Sequence, residues 1–376
     1  MTTPDVMTPQ QAFAEMVAQG DVVIDRFDEW VRRQPGKLFI DYGEDDLRLS
    51  YAEFGRRADA LAAGLAALGV QPGDRVSVMT RNSLVATLLM FACWRTGSIY
   101  APVNFNYKGR LLGYQLNDTL PRVLLVGADC AQAVHEVLAE TEIPALVLHR
   151  PLPGEHDFGQ GEVPAGFGAG RRLAELADLL RAGGSVPAVA RGYADLANII
   201  YTSGTTGPAK GVLQSYRWMN QYAYVMRNLN GPDDVVYCDL PLYHVGGAFF
   251  LIARAVWNGN SVGLWDKFSA NAFWDRINRT GCSTGVLVDV MIPWLMSAPP
   301  GKDDRANTLN KIHMQPLPLN HHQVAQRFGI DFVTCGFGQT EAGMGCGALI
   351  DEFGDAQGTP PALWRGPDKE SVRAAM

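Results

Sequence analysis

Between Asp74 and Gly127 the chain strings together five segments that alternate between two hydrophobic periods. DRVSVMT (74–80), SIYAPVN (98–104) and PRVLLVG (121–127) are short, apolar runs bounded by turn formers, and each reads as a strand. Residues 83–96 and 111–119, which separate them, read as helices. A strand that leaves through a helix and returns as a strand pairs in parallel, and parallel sheets need helices on both faces. The predicted class is therefore α/β, with mixed or parallel sheets covered by helices.

The flanking sequence extends this pattern. Residues 22–35 have helical spacing and stop at Pro35-Gly36, and KLFIDYG and LRLSYAEF read as short strands around a turn. YAEFGRRADALAAGLAALGV is an amphipathic helix with Gly69 as its C-cap. Residues 151–192 are richer in Gly and Pro, hold one short helix in RRLAELADLLRAG, and read as a surface connection. From Leu196 a second unit begins with the strand LANIIYTS, and VLQSYRWMNQYAYVMRNL runs into a helix. DVVYCDLPL, SVGLWD and CSTGVLVD follow as strands. The expected organisation is two stacked βαβ-type units, 1–192 and 193–345, with 346–376 as a remainder.

Composition narrows the function. With 47% hydrophobic and 19% charged residues over 376 positions, the chain can bury a large core. A net charge of −7 supplies no basic field for nucleic acid or an anionic membrane, which leaves small molecules as partners. Six cysteines without a C-x-x-C pair read as neutral thiols in a reducing compartment. The N-terminus shows no basic, apolar leader. SLVATLLMFACW (83–94) is too short to cross a bilayer and reads as a buried helix. The chain thus reads as cytoplasmic.

YTSGTTGPAKGV (201–212) carries three glycines, four Ser/Thr hydroxyls and Lys210 directly after a strand. Glycines let successive N–H groups converge, and amides, hydroxyls and one compact cation suit phosphate oxygens. Read alone, a Gly-rich surface turn is the simpler account. A P-loop is excluded because Lys210 stands between Ala209 and Gly211, and no G-x-G-x-x-G is present.

The order Tyr-Thr-Ser-Gly-Thr-Thr-Gly-x-x-Lys-Gly resembles the signature loop of the adenylate-forming superfamily of acyl- and aryl-CoA synthetases, peptide-synthetase adenylation domains and luciferase. LSYAEF (49–54), GSIYAPVNFNYKGRLLGYQLNDT (97–119), LPLYHVGG (240–247) and GFGQTEAG (336–343) are similar to further motifs of that family, in its order. The resemblance implies activation of a carboxylate with ATP to acyl-AMP and pyrophosphate.

It also implies roles. Thr202, Ser203, Gly204, Thr205, Thr206, Gly207 and Lys210 would hold the β- and γ-phosphates, and Glu341 would ligate Mg²⁺. Thr340 would contact the α-phosphate, with Gln339 beside it, and Gly336, Phe337 and Gly338 would line the adenine slot. His244 falls to the acid site, so the catalytic set is Thr202, Lys210, His244 and Glu341. GGAFFLIARAVW would leave an apolar pocket for the acid along a helix, and YHVGGAFF offers no Asp for a substrate ammonium. Asp289 reads as a helix cap, with a polar group in the acid pocket as the alternative.

Two departures stand out. Where the family carries a Gly-rich adenine wall, this chain has KIHMQPLPLNHH (311–322), and Gln315 and Pro316 are the candidates for that wall. The family continues into a ribose-binding Asp motif and a small C-terminal domain that brings a catalytic lysine. Here Lys369 is the one lysine after Glu341, in a different context. The expectation is the large N-terminal part of a carboxylate–CoA ligase, with the C-terminal β-barrel incomplete and the small domain absent. ATP, Mg²⁺ and CoA (as co-substrate) are implied, with a small carboxylic acid as substrate and a homodimer left open. The alternatives are a non-catalytic nucleotide- or acyl-binding remnant and an adenylate-forming enzyme with another acceptor.

Overall fold

The computed structural model describes residues 22–158, 162–202, 208–225, 229–354 and 358–374, with Gln11, Ala14, Val17, Ala18 and Ala356 besides. Helix α1 (Val23–Arg33) leads into β1 (Leu38–Tyr42), β2 (Leu47–Ser50) and helix α2 (Tyr51–Ala67). The junction of β2 and α2 is a reciprocal cap: Ser50 Oγ accepts from Glu53 N–H at 3.2 Å, and Glu53 Oε2 accepts from Ser50 N–H at 2.8 Å. At the other end of α2, Leu68 is the C-cap, and Gly69, at φ +90°, makes the left-handed turn that follows it.

The alternation read between Asp74 and Gly127 is present as β3 (Arg75–Met79), α3 (Ser83–Thr96), β4 (Ile99–Pro102), α4 (Gly109–Thr119) and β5 (Val123–Gly127). After α5 (Ala131–Leu138) and β6 (Ala145–His149), the segment expected as one helix splits into β7 (Arg172–Glu175) and α6 (Leu176–Ala182). Residues 172–175 pair with the free edge of β6, Ala145 opposite Arg172, and an available ladder overrides helix propensity there.

Beyond the connection lie β8 (Leu196–Thr202), β9 (Lys210–Ser215), α7 (Tyr216–Val225) and β10 (Val235–Cys238). The GGAFFLIARAVW segment is helical, but Gly246–Ala253 winds as a π-helix before α8 (Arg254–Asn258) restores the α pitch. A Cβ on Gly247 would lie 2.7 Å from the Leu240 carbonyl oxygen, so glycine allows this helix to start against the preceding LPL segment. Then come β11 (Ser261–Leu264), α9 (Phe273–Thr280), β12 (Thr284–Val288), α10 (Met291–Ser297), β13 (Lys311–Gln315), α11 (His321–Phe328), β14 (Phe332–Gln339), β15 (Gly343–Asp351) and α12 (Lys369–Ala374). Asp289 is exposed and caps nothing, because Val290 holds the N-cap position of α10.

The strands form two open sheets. One has the order β7-β6-β5-β3-β4-β8-β9, parallel except for the β8–β9 hairpin. The other has the order β15-β14-β13-β12-β10-β11-β1-β2, parallel at its centre with an antiparallel pair at each edge. Neither closes into a barrel among the described residues. Each sheet draws strands from both sides of Gly192: β1 and β2 join the later strands, and β8 and β9 join the earlier ones.

Helix α3 is buried at every residue except Arg95, as an apolar surface on all sides requires. Arg95 pairs with Asp28 at 2.6 Å and Asp59 at 2.9 Å, which keeps its charge compensated. Phe91 and Trp94 of α3 belong to one aromatic core with Phe27, Phe39 and Phe54. No described helix is long and apolar enough to cross a membrane. All six cysteines are free thiols, four of them buried.

Candidate active site

Each of the two main motifs occupies the turn of an edge hairpin, and the hairpins belong to different sheets. In the β8–β9 hairpin Thr202 stands directly opposite Lys210, so the Gly-rich loop begins and ends at one rung. In the β14–β15 hairpin Gln339 stands opposite Gly343, which leaves Thr340 and Glu341 at the tip. The two tips meet. Thr202 Oγ1 donates to Glu341 Oε1 at 3.4 Å, and Gln214 Nε2 donates to the Thr340 carbonyl at 3.2 Å.

Between them opens a cleft of about 940 Å³. Thr202, Pro208 and Lys210 supply one wall, and Gly338, Gln339, Thr340 and Glu341 supply the facing one. Tyr243, His244 and Val245, from the segment after β10, close a third side. Of the residues singled out in the sequence, Thr202, Lys210, His244, Gly338, Gln339, Thr340 and Glu341 thus share one cavity. Ser203, Gly204, Thr205, Thr206 and Gly207 lie outside the described residues.

Gln315, Pro316, Gly336 and Phe337 do not line the cleft. Gln315 ends β13, where its carbonyl accepts from Asp289 N–H at 3.1 Å. Phe337 is 59% exposed. Gly336 marks a close approach of two strands, since a Cβ there would sit 2.8 Å from the Cys346 carbonyl oxygen. That close approach is one the glycine permits. Lys369 pairs with Asp331, away from the cleft.

His244 Nδ1 accepts from Gly246 N–H at 3.1 Å, so a neutral ring carries its proton on Nε2. Burial among its neighbours lowers its pKa below the ordinary histidine value, and the ring is neutral at pH 7. The site therefore offers one cation, one carboxylate, hydroxyls and a neutral imidazole donor.

Several wall residues escaped the motif reading. Asn104, Tyr107 and Gln115 come from the 97–119 segment, and Tyr222 comes from α7. Gln115 Nε2 donates to the Pro102 carbonyl at 3.0 Å, while its buried Oε1 has no partner among the described residues. The segment's resemblance was the available signal for the first three. Tyr222 lies in a helix with no motif. A separate groove of about 490 Å³, lined by Arg56, Arg57 and Leu180 among others, includes Leu49 and Glu53 of the LSYAEF segment but none of the residues assigned to ATP or the acid.

The AMP-binding enzyme family matches residues 27–365, which include both hairpin tips and every wall of the cleft. This chain belongs to that AMP-binding family. Among its relatives, the medium/long-chain-fatty-acid–CoA ligase FadD6 of Mycobacterium tuberculosis is 29% identical over 332 residues, 87% of this chain and 51% of its own length. The sulfoacetate–CoA ligase of Cupriavidus necator is 28% identical over 82% of this chain and 58% of its own. This AMP-binding chain spans about half the length of the curated relatives it matches. ATP-bound MatB from Rhodopseudomonas palustris superposes with a TM-score of 0.71 at 24% identity, over 90% of this chain and 63% of that one. The inhibitor-bound N-terminal domain of FACL13 from M. tuberculosis gives 0.70 at 22% identity, over 85% and 76%. At those identities the two structures speak to the fold.

Proposed function

We propose that the cleft binds ATP and a carboxylic acid and joins them as acyl-adenylate with release of pyrophosphate, within a protein whose whole activity is thioester formation with CoA. The observation that carries this reading is the meeting of Thr202 and Glu341 across the two sheet edges, with Lys210 and His244 in the same cavity. Hydroxyls and a lysine at one wall suit the phosphate oxygens of the leaving pyrophosphate, where negative charge grows as the bond to the α-phosphate breaks. The residues 203–207 are assigned to the same cradle by their place between Thr202 and Lys210.

Glu341 fits a hard divalent cation, being a carboxylate at the tip that faces the phosphate wall. Mg²⁺ there would neutralise phosphate charge. Thr340 and Gln339 are placed to orient the nucleotide, and Gly338 leaves room for its approach. His244, donating from Nε2, would hold one oxygen of the acid's carboxylate and leave the other free to attack the α-phosphate. A neutral ring suits this task, because it orients the carboxylate without forming an ion pair that would lower its nucleophilicity.

ATP–pyrophosphate exchange over a panel of carboxylic acids tests the reading. Acid-dependent exchange supports it. ATP binding by calorimetry without exchange on any acid would favour a binding protein instead. Replacing Glu341 with Gln should weaken Mg²⁺-dependent ATP binding by roughly tenfold or more, since a neutral amide is a poorer cation ligand. Equal affinity in both proteins would refute the metal assignment.

A further inference from the structure

Arg254, the first residue of α8, follows the apolar GGAFFLIA run and is 1% exposed. Its Nε and Nη2 have no hydrogen-bond partner among the described residues. The carboxylate nearest in charge, Asp234, is engaged elsewhere: it accepts from Lys311 Nζ at 2.9 Å, Ser283 Oγ at 2.6 Å and Gly231 N–H at 2.9 Å. Arg254 and Lys311 bring two cations against that one anion. His313 adds no charge at neutral pH, because burial and then the guanidinium push its pKa down to about 4.

The guanidinium borders a small void of about 10 Å³, shared with Asn230, Lys311, His313 and Thr334. Asn230 Nδ2 is also buried without a partner among the described residues. The unpaired atoms of these two side chains at the void are therefore donors, and a buried, unpaired cation is among the costliest features a core can hold. An aliphatic residue of similar volume would serve packing alone better.

Two rings stand between this void and the cleft, Tyr222 on the cleft wall and Phe250 behind it. Phe250 packs against Tyr222, which lines the cleft, with centroids 6.0 Å apart. On its other sides it meets His313 at 4.7 Å and carries the Arg254 guanidinium 4.6 Å from its centroid. Tyr222 shares its cleft with His244 and Val245, so the two rings together divide the void from that side of the cleft.

We propose that the acid activated by this chain bears a second anionic group, a carboxylate or sulfonate at its far end, and that Arg254 and Asn230 receive that group once Tyr222 and Phe250 turn aside. The inference rests on the adenylation reading and gives it a substrate class. An apolar tail would leave the donors unpaired, whereas a distal anion pairs them and offsets the surplus cation. It also revises the apolar pocket expected from GGAFFLIARAVW: the pocket's walls are apolar but its end is charged.

The test is ATP–pyrophosphate exchange by the full chain, with α,ω-dicarboxylic and ω-sulfonated acids set against monocarboxylic acids of the same length. The wild-type protein should favour the dianions by roughly a hundredfold or more in kcat/KM, as sites built around buried polar groups do. Arg254→Leu should reverse that ratio, chiefly through KM. A wild-type preference for monocarboxylic acids, or no preference, overturns the distal site while leaving adenylation standing; this is the outcome expected if a water or halide fills the void. A ratio unchanged by Arg254→Leu also overturns it. Absence of exchange with every acid overturns the adenylation reading and this one with it. Should Arg254→Leu fail to fold, Asn230→Ala carries the same comparison.

Discussion

Replacing Asp239 with Asn should make the protein more stable above neutral pH and remove part of the pH dependence of its stability. Asp239 follows β10 at 2% exposure, and neither carboxylate oxygen has a hydrogen-bond partner among the described residues. Burial raises its pKa from 3.8 to about 7, and the Tyr237 hydroxyl and the Arg276 charge pull it only partly back. A carboxyl whose folded pKa exceeds its unfolded value is neutral when folded and ionised when unfolded over the interval between the two. Its contribution to stability is therefore greatest below the unfolded pKa and declines as pH rises from that value through the folded one.

A gap of about three pKa units corresponds to about 4 kcal/mol at full ionisation. Between pH 5 and pH 8 the loss amounts to about 2.5 kcal/mol. Asn is neutral throughout and lacks this loss. Asp266, raised to about 6 by burial, shifts in the same direction but is present in both proteins and cancels. Urea denaturation at several pH values between those limits, with the slope m checked for constancy, measures the difference. The free-energy gap between the Asp239→Asn variant and the wild-type protein should widen with pH by about 2–3 kcal/mol. Parallel stability curves would refute the reasoning, because they would mean that the carboxylate is solvated or paired when folded.

Replacing His244 with Ala should lower affinity for the acid by roughly tenfold, the order expected for one lost hydrogen bond to a charged group, with ATP affinity unchanged in calorimetry. Because its pKa lies below the ordinary value, acid binding by the wild-type protein should show no histidine step between pH 8 and that value. Replacing Gly336 with Ala should cost about 1–3 kcal/mol in urea denaturation, because the new Cβ would push apart β14 and β15. Nucleotide affinity should fall with it, since the same hairpin carries Thr340 and Glu341.

Local pattern made the elements legible where one face or all faces are apolar. The strands β3, β4 and β5 and the helix α3 are read correctly because their burial is nearly complete and leaves an unbroken apolar run. The four residues of β7 carry Arg172 and Glu175 beside a helix, and nothing within them signals the free edge of β6 that recruits them. Assignment of strands to sheets was equally illegible. β1 and β2 look like the start of the first unit, yet β1 pairs with β11, some two hundred residues later. Hydrophobic period records which face is buried, not which neighbour buries it.

The site divides along the same line. Thr202, Lys210, Thr340 and Glu341 were legible through the resemblance of their motifs, because an ordered run of residues around a turn survives in one dimension, whereas read alone the Gly-rich loop was a plain surface turn. Arg254 was not, because its significance lies in what surrounds it: a lone arginine in an apolar helix reads as a surface residue until Asp234 is seen to be occupied and Phe250 to cover it. Of the hydrogen bonds described above, two join the hairpins, one of them a hydroxyl–carboxylate contact at 3.4 Å. A bound cation or phosphate would replace that contact with stronger ones at both ends, so ligand binding should draw the two sheet edges together rather than disturb either core.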